Sequence, residues 1–262
     1  MARLIAEKYA AWEQLCTHRF ETLKANEEKL NQIFHEIYGL QGVLSPEVEE
    51  RAVSVARAEL RREIKSLISY AIGTIFGRYS LDTPGIAYAG GTWDPRRYQT
   101  IQPVEDNILI LGAEIENEAN AATLFFSWIE TVYGAETLEE NLSFISQALG
   151  GEGSPRQVIA SYLYRDFYTD HLKTYQKRPI YWQFDAGKKG RFKALIYIHR
   201  YEPQLPQRLL TRYVQPRLAA CEALLPFATR LQSLAKQPPR LELDDGIIEN
   251  YSKFPDLLTP IG

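Results

Sequence analysis

The sequence predicts a predominantly helical α+β fold, in which a long helical hairpin is followed by a mixed helical region with a small β-ribbon. Three observations lead to this prediction. Apolar residues recur at helical spacing over 3–38 and again over 45–76. Two further helices begin with capping-box sequences in the middle of the chain. Two runs rich in β-branched and aromatic residues, 180–184 and 192–201, flank a glycine-containing segment that is typical of a hairpin turn.

The helical hairpin is expected to form a first domain over 1–78. Its first helix should end before Gly39, because glycine readily adopts the left-handed conformation that terminates a helix. Ser45 suits the N-cap of a second helix and Pro46 its first position, and the apolar periodicity continues to Phe76. The connection between these helices is short, which favours antiparallel packing.

Residues 79–262 are expected to form the second region. Glycine, proline and aromatic residues are interleaved between 77 and 102, which indicates an ordered loop with short strands, and the apolar run 107–111 indicates one buried strand. Pro216 and Pro226 should kink or break the last helix, because proline lacks the N–H that a helix interior needs. A C-terminal tail follows this helix. The expected helices span 117–132, 137–149, 154–174 and 206–236.

Two capping boxes support the helices in the middle of this region. Thr137 is followed at the third position by Glu140, and Ser154 is followed in the same way by Gln157. In each pair the hydroxyl can accept from a free backbone N–H while the longer side chain reaches back to the cap. A helix is therefore expected to begin at each of the two hydroxyl residues.

Charge is distributed unevenly along the chain, although the whole protein carries only −3. The segment 154–217 contains 13 lysine and arginine residues against four acidic ones, whereas the remainder contains 17 basic and 29 acidic residues. A segment of net charge +9 would attract a polyanion even on a mildly acidic protein. We therefore expect its cations to converge on one nucleic-acid-binding surface.

Apolar patterning and cysteine content predict a cytoplasmic protein that does not bind a membrane. No run of about 18 apolar residues could span a bilayer, and the first residues lack the apolar core of a signal peptide. Cys16 and Cys221 have no partner at metal-ligand spacing, so free thiols in a reducing compartment are favoured over a disulfide.

No catalytic or metal-binding motif is found in the sequence. An amino-group DNA methyltransferase needs an Asn/Asp-Pro-Pro-aromatic motif to hold the extruded base, but the pair Pro238-Pro239 follows Gln237 and precedes Arg240. A phosphate-binding glycine-rich loop is also missing, and the four histidines are not spaced as metal ligands. The chain is therefore not expected to be an enzyme on its own.

The basic β-hairpin over 177–201 is the candidate DNA-binding site. A glycine-bearing tip brings lysine side chains close to phosphates, arginine can bind phosphates in a bidentate manner, and a two-stranded ribbon fits the major groove. The alternative is that the cations only keep the tip soluble and its edge unpaired. The predicted DNA contacts are Lys177, Arg178, Lys188, Lys189, Arg191, Lys193 and Arg200. The hairpin aromatics expected in the core are Tyr181, Trp182, Phe184, Phe192 and Tyr197.

Four residues outside the hairpin form a possible interface. Arg78 follows Gly77 at the end of an apolar helix, where it can meet a phosphate or a carboxylate, with core packing as the favoured alternative. Trp93, Arg96 and Arg97 lie on an aromatic-rich loop, and aromatic and arginine side chains are enriched in interface cores. Ordinary packing of this loop is the alternative for these three residues.

Four collinear stretches of the sequence resemble the C-terminal region of the PglX family, the adenine-specific methyltransferases of BREX phage-defence systems. They are 66–82, 88–91, 136–141 and 173–201. Members of that family are much longer than this chain, and their methyltransferase domain lies upstream of the matched region. The resemblance therefore implies no catalytic residue here, and it implies that S-adenosylmethionine would bind the upstream domain.

The resemblance also implies that this region supports recognition of a DNA site and contacts other defence components. The leading hypothesis is a non-catalytic DNA-binding and target-recognition module, with double-stranded DNA and a methyltransferase domain as partners. The alternative is a protein–protein docking module for BREX partners or for a phage-encoded inhibitor, which the acidic remainder and the loop 86–98 favour. An independent enzyme is a third hypothesis, which the missing motifs disfavour.

Overall fold

Helices form most of the part of the chain that the computed structural model describes, which comprises residues 4–112, 120–176, 179–242 and 247–249. A small antiparallel sheet accompanies them, so the predicted fold class is confirmed. The helices are α1 (Ile5–Tyr38), α2 (Leu60–Ile75), α3 (Ala121–Tyr133), α4 (Leu138–Leu149), α5 (Pro155–Arg165), α6 (Phe167–Thr174), α7 (Gly187–Gly190), α8 (Leu205–Leu209), α9 (Gln215–Leu218) and α10 (Leu225–Lys236). The strands are β1 (Leu109–Leu111), β2 (Tyr181–Asp185), β3 (Lys193–Tyr197), β4 (Arg240–Glu242) and β5 (Ile247–Glu249).

The first helix, α1, has nearly the predicted extent. It ends at Gly39, whose φ of 65° is left-handed and whose N–H donates to the carbonyl of His35. Its other end is anchored by the backbone N–H of Ile5, which donates to Asn141 Oδ1 of α4 over 2.8 Å. Few of its 34 residues are buried, so most of the helix faces solvent.

The prediction of a second helix is wrong over 45–59. This segment runs back along α1 as extended chain with one 3₁₀ turn, and α2 begins only after it. Side chains of α1 bind its backbone, since Glu28 Oε1 accepts from the N–H of Val48 at 3.2 Å. The guanidinium of Arg57 also lies 4.1 Å from the ring centroid of Phe20. These long-range contacts outweigh local helix propensity, so the second arm is extended over 45–59 and helical only in α2.

The loop over 77–102 is ordered, but it lacks the predicted short strands. Asp82 holds its two ends together, since Oδ2 accepts from the backbone N–H of Thr100 at 2.9 Å. The hydroxyl of Tyr98 donates to the carbonyl of Gly77 at 2.5 Å, where a φ of 83° turns the chain out of α2. Side-chain hydrogen bonds therefore order this segment in place of a strand ladder.

The three-stranded sheet lies between two helical layers. Its order is β1-β3-β2, with Leu195 of β3 opposite Leu109 of β1 and Tyr197 of β3 opposite Tyr181 of β2. Leu195 and Tyr197 belong to one core with α2 to α5, whereas Ile196 belongs to a second core with α8 and α10. Both faces of the sheet are therefore buried, which explains why apolar and aromatic residues occupy both faces of its strands.

The two capping boxes have different outcomes. The Ser154 hydroxyl accepts from the N–H of Gln157 while the Gln157 side chain accepts from the N–H of Ser154, so this prediction is confirmed. Thr137 is not a side-chain cap, because a 3₁₀ turn precedes α4 and its hydroxyl donates to the carbonyl of Tyr133 at 3.0 Å. The helix begun by Ser154 is interrupted at Asp166, which separates α5 from α6.

The C-terminal helical run is broken where its prolines predict a break. Pro216 lies in the first turn of α9, and Pro226 lies in the first turn of α10. A π-helical turn, Leu210–Val214, precedes α9, because Pro216 cannot donate to the carbonyl four residues earlier. Beyond α10 the structure describes the antiparallel pair of β4 and β5.

Three expected absences concern membranes, metals and disulfides. No helix in the described ranges is long and apolar enough to cross a membrane. The same ranges contain no group of three or more His, Cys, Asp or Glu side chains that could hold a metal ion. Cys16 is buried, Cys221 is half-buried, and both are free thiols. The domain boundary after residue 78 stays a prediction; α2 shares one core with α3 and α4.

Candidate nucleic-acid interface

The two strands of the basic hairpin are part of the core and are not presented as a free ribbon. Four of the five residues of β2 and four of the five residues of β3 are buried. The predicted burial of the hairpin aromatics is confirmed, with exposed fractions from 0% to 4%. A groove-inserted ribbon is incompatible with this packing, so within the described residues 179–201 the accessible part is the tip between the strands. The buried aromatics are Tyr181, Trp182, Phe184, Phe192 and Tyr197.

The tip is a short helical turn, α7, closed by hydrogen bonds at its base. Asp185 Oδ1 accepts from the N–H of Gly187 at 2.8 Å, and the N–H of Ala186 donates to the carbonyl of Phe192 at 2.9 Å. Gly187 and Arg191 both have positive φ, 77° and 48°, which turn the chain into and out of α7. The backbone of the tip is therefore fixed before any ligand binds.

The tip also packs against the turn that precedes α10. A Cβ on Gly190 would lie 2.7 Å from Ala186 Cβ and 3.2 Å from Leu224 Cδ2, so only glycine fits there without a shift. The thiol of Cys221 lies 3.9 Å from the carbonyl of Lys189 on the same side. One side of the tip is therefore buried in the protein, while its cationic side chains face the solvent.

Three of the predicted DNA contacts are exposed on this tip. Lys188 and Lys189 project from α7, and Arg191 follows it. None of the three has an ion-pair partner among the residues that the structure describes, so their charges are available to an external anion.

Lys193 is held inside the hairpin. Its Nζ lies 3.2 Å from Asp185 Oδ2, donates to the carbonyl of Tyr164 at 3.1 Å and lies 4.7 Å from the Tyr164 ring centroid. Only 17% of its side chain is exposed. The charge of Lys193 is therefore used to orient the base of the tip, where it pairs with the carboxylate that closes α7.

Arg200 is also occupied within the protein. Its Nη1 donates to the carbonyls of Phe76 at 3.0 Å and Val104 at 2.8 Å, and its Nη2 donates to the carbonyl of Glu105 at 3.1 Å. The guanidinium lies 4.5 Å from the ring centroid of Trp93. Burial lowers the pKa of Arg200 below its ordinary value. These contacts give Arg200 a structural role instead of the predicted DNA contact.

Lys177 and Arg178, the remaining predicted DNA contacts, lie outside the described residues. The predicted convergence of all 13 cations is wrong in part, because ion pairs neutralise several of them. Glu139, Asp170, Glu202 and Asp106 pair with cations of the segment, and Arg217 donates to the carbonyl of Tyr213 at 2.7 Å. The cations in these four pairs are Arg156, Lys173, Arg208 and Arg212.

One cation near the tip was counted in the basic segment but was not among the predicted DNA contacts. Arg165, at the end of α5, is exposed and has no ion-pair partner in the described ranges. Burial and the charge of Asp185 raise the pKa of Tyr164, whereas Arg191 and Arg165 both act to lower it. Arg165 directly follows Tyr164, whose carbonyl accepts from Lys193 Nζ at the base of the tip at 3.1 Å, so Arg165 lies beside the tip. We call Arg165, Lys188, Lys189 and Arg191 the tip cluster.

The chain is similar to about a quarter of each of two curated methyltransferases. It is 41% identical to "Adenine-specific methyltransferase PglX" of Lacticaseibacillus casei (strain Zhang) over 294 aligned positions, which cover 97% of this chain and 24% of that protein. Nearly the whole chain matches part of PglX. It is also 30% identical to "Adenine-specific methyltransferase BrxX" of Escherichia coli O9:H4 (strain HS) over 320 positions, which cover 98% of this chain and 26% of that protein. No family model matches the chain.

The predicted resemblance to PglX is confirmed by these matches. The chain spans about a quarter of the length of the curated relatives it matches, a share consistent with the predicted C-terminal region. The activity of the complete methyltransferases is therefore not assigned to this chain by the matches alone.

The stretches that resemble PglX meet in the core of the fold. Arg78, from 66–82, donates to the hydroxyl of Tyr197, from 173–201, at 3.1 Å, and that hydroxyl donates to the carbonyl of Tyr88 at 2.7 Å. Burial acts to lower the pKa of Arg78, but its hydrogen bonds to two tyrosines raise the pKa above the ordinary value. Much of the PglX-like sequence therefore maintains the fold, and Arg78 is half-buried within it.

The loop residues predicted as a possible interface lie in different environments. Trp93 stacks on Tyr98 with ring centroids 4.8 Å apart and carries Arg200 on its ring, so it packs inside the loop. Arg97 is exposed, but its Nη1 donates to the carbonyl of Ala87 at 2.8 Å. Arg96 is 88% exposed and pairs with Asp94 at 2.9 Å. An interface role for these residues stays a prediction.

Proposed function

We propose that this chain is the DNA-binding and target-recognition part of a BREX-type adenine-specific DNA methyltransferase, without a catalytic site of its own. Double-stranded DNA would lie against the tip cluster. Methyl transfer and the binding of S-adenosylmethionine would belong to a methyltransferase domain acting with it. The similarity to PglX supports the methyltransferase system, and the tip cluster carries the assignment of DNA binding.

The tip cluster suits the backbone of duplex DNA for electrostatic reasons. Its four cations are exposed and, within the described ranges, have no ion-pair partner. Phosphate oxygens can therefore replace their bound water without breaking an ion pair within the protein. The turn that carries three of them is fixed by Asp185 and by packing at Gly190, which lowers the entropy cost of binding. Phosphate contacts position a protein on DNA without reading its bases. Base recognition would come from groups beside the tip.

The salt dependence of binding tests this proposal. Each phosphate contact contributes a slope of about −0.9 to the plot of log affinity against log salt concentration. We expect duplex DNA, titrated with the chain and followed by fluorescence anisotropy, to bind more weakly as salt rises. Replacing Lys188, Lys189 and Arg191 together by alanine should reduce the slope by about 2–3 units.

The matched control removes three exposed cations from α1 and from the extended segment that follows it. Arg19→Ala, Lys29→Ala and Arg51→Ala change the net charge by the same amount, and all three side chains are exposed. We expect this control to leave the slope nearly unchanged. Binding that is undetectable or independent of salt, or an equal loss in the control, would remove the assignment.

A second candidate function is docking of other defence proteins or of a phage-encoded inhibitor. The observation that favours it is the apolar surface at the far end of α1, where Ile37, Tyr38 and Val43 are 67%, 69% and 72% exposed. Exposed apolar patches often mark protein interfaces. Capture of purified BREX proteins by the chain should be lost on replacing Ile37 and Val43 by serine. Capture that is unaltered by these changes would contradict this second candidate.

A further inference from the structure

A cleft of about 440 Å³ lies between α2 and α6, apart from the tip cluster. Its lining combines positive charge, aromatic rings and one deeply buried histidine, His171. Four cationic side chains line it against two acidic ones, Glu59 and Asp170, so the cleft favours an anion. The four cations are Arg61, Arg62, Lys65 and Lys173.

The acidic residue inside the cleft leaves part of this positive charge uncompensated. Asp170 is shared by two lysines, with Lys65 Nζ at 2.7 Å and Lys173 Nζ at 3.7 Å from its carboxylate. Burial acts to raise the pKa of Asp170, but the hydrogen bond and charge of Lys65 lower the pKa below its ordinary value. Arg61 is exposed and has no ion-pair partner in the part of the chain that the structure describes. Two carboxylates, Glu59 and Asp170, thus face three cations, Arg61, Lys65 and Lys173, since the fourth cation, Arg62, pairs with Glu63 at 2.7 Å.

His171 contributes a hydrogen-bond donor without an acceptor. Its Nε2 accepts from the backbone N–H groups of Ile180 at 3.1 Å and Tyr181 at 3.3 Å, so the neutral ring carries its proton on Nδ1. That Nδ1 is buried and has no hydrogen-bond partner among the residues that the structure describes, and the residue as a whole is only 4% exposed. Buried polar groups are usually hydrogen-bonded, so an orphaned donor in a residue that lines a cleft indicates a missing acceptor.

Aromatic rings form one wall of the same cleft. Tyr70 and Tyr79 stack with centroids 5.0 Å apart and an interplanar angle of 29°, and Tyr70 is 38% exposed. Tyr175 lies 4.5 Å, centroid to centroid, from the His171 ring. Tyrosine faces of this kind stack on nucleobases, since every base offers a π-face.

We propose that this cleft binds a nucleotide. Its phosphate would lie against Arg61, Lys65 and Lys173, and its base would lie against the tyrosine wall. One of its oxygen or nitrogen atoms would accept a hydrogen bond from the Nδ1–H of His171. The nucleotide is either a free mononucleotide or one unit of a single-stranded nucleic acid, which present the same chemistry. This site does not depend on the tip cluster and goes beyond the function proposed above.

Calorimetric titration with adenosine 5′-monophosphate tests the site. Adenosine and inorganic phosphate serve as partial ligands, and each should bind more weakly than the complete nucleotide. The double variant Arg61→Ala/Lys173→Ala should weaken nucleotide binding at least tenfold, while both positions are exposed and tolerate the change. The control Lys29→Ala/Arg51→Ala, which removes the same charge elsewhere, should bind the nucleotide as the unaltered chain does.

The imidazole of His171 gives an independent readout. In a ¹H–¹⁵N spectrum of the histidine rings, its Nδ1–H signal should shift as the nucleotide saturates, because the donor gains an acceptor. A 5′-phosphorylated single-stranded oligonucleotide that displaces the nucleotide would assign the site to nucleic acid. An oligonucleotide that fails to displace it would assign the site to a free nucleotide.

Three results would overturn the proposal. They are no nucleotide binding at millimolar concentration, binding that the double variant leaves unchanged, and equal or tighter binding of an acidic peptide. The tip-cluster triple variant should bind the mononucleotide normally, so failure of the cleft and failure of DNA binding at the tip can be told apart.

Discussion

Replacing Arg200 by alanine should destabilise the fold without a direct loss of DNA contacts. The change removes donors from the carbonyls of Phe76, Val104 and Glu105 and removes a cation from the ring of Trp93. A hydrogen bond to a charged group contributes about 1.5–3 kcal/mol. The carbonyl of Glu105 is exposed, so water replaces its lost donor, and only the bonds to Phe76 and Val104 count toward the loss. With a cation–π contribution of about 1 kcal/mol, we expect a loss of about 4 kcal/mol in the free energy of unfolding.

Urea denaturation followed by circular dichroism measures this loss. Arg200→Lys keeps the charge but offers a compact ammonium in place of the planar guanidinium, so it should lose about half as much stability. Arg191→Ala is the opposite control, because its side chain is exposed and unpaired in the described residues. It should change stability by less than about 0.5 kcal/mol and still weaken DNA binding.

Measuring both stability and DNA binding for Arg200→Ala and for Arg191→Ala separates a structural arginine from a DNA-binding one. If Arg200→Ala lost less than about 1 kcal/mol of stability yet weakened DNA binding in folded protein as strongly as Arg191→Ala, the structural role assigned to Arg200 would be wrong. The original prediction of a phosphate contact would then be restored for this residue.

Three further variants test the tip, a helix start and the buried histidine. Gly190→Ala should lose about 1–3 kcal/mol of stability by denaturation, since its Cβ would overlap Ala186 and press on Leu224, and unchanged stability would refute the close packing. Ser154→Ala should lose about 1 kcal/mol through the missing cap, and no loss would contradict the observed capping box. Burial, with the charge of Arg78, lowers the pKa of His171 from 6.5 to about 4 in the folded protein. Protonation therefore favours the unfolded chain, and stability should fall by about 1.2 kcal/mol as the pH drops from neutral to about 5.5. A pH dependence that persists unchanged in His171→Gln would refute this assignment.

Local sequence signals correctly predicted those helix ends whose hydrogen bonds join residues within one or two turns of each other. Gly39 ends α1 in a left-handed conformation, and Ser154 with Gln157 begins α5, as their sequences predict. Thr137 carries the same signal, but its hydroxyl turns back to Tyr133 in the preceding helix. The sequence does not reveal which of two short-range partners a hydroxyl selects.

Long-range contacts account for the errors in secondary structure. Residues 45–59 carry good helix-start residues, yet Glu28 of α1 binds the backbone at Val48 and Phe20 of α1 receives Arg57. Those partners lie 20 and more residues away along the chain, so no local pattern could have indicated them.

The sequence predicted which basic residues the candidate site contains, but it did not predict which of them are exposed and which bind other residues of the protein. The basic hairpin exists, yet a count of charges could not show that Lys193 pairs with Asp185 or that Arg200 binds three carbonyls. Arg165 could have been suspected as a cation in the last turn of a helix, but its position beside the tip depends on tertiary packing, in which Lys193 binds the carbonyl of Tyr164.

The most direct test of DNA binding at the tip cluster observes its lysines individually. Reductive methylation with ¹³C-formaldehyde labels each lysine for NMR, and Lys→Arg variants assign the signals. On addition of duplex DNA, we expect the signals of Lys188 and Lys189 to shift in a salt-dependent manner while that of Lys29 stays in place. If Lys188 and Lys189 did not respond to DNA that other lysines bind, the account of this surface would be contradicted.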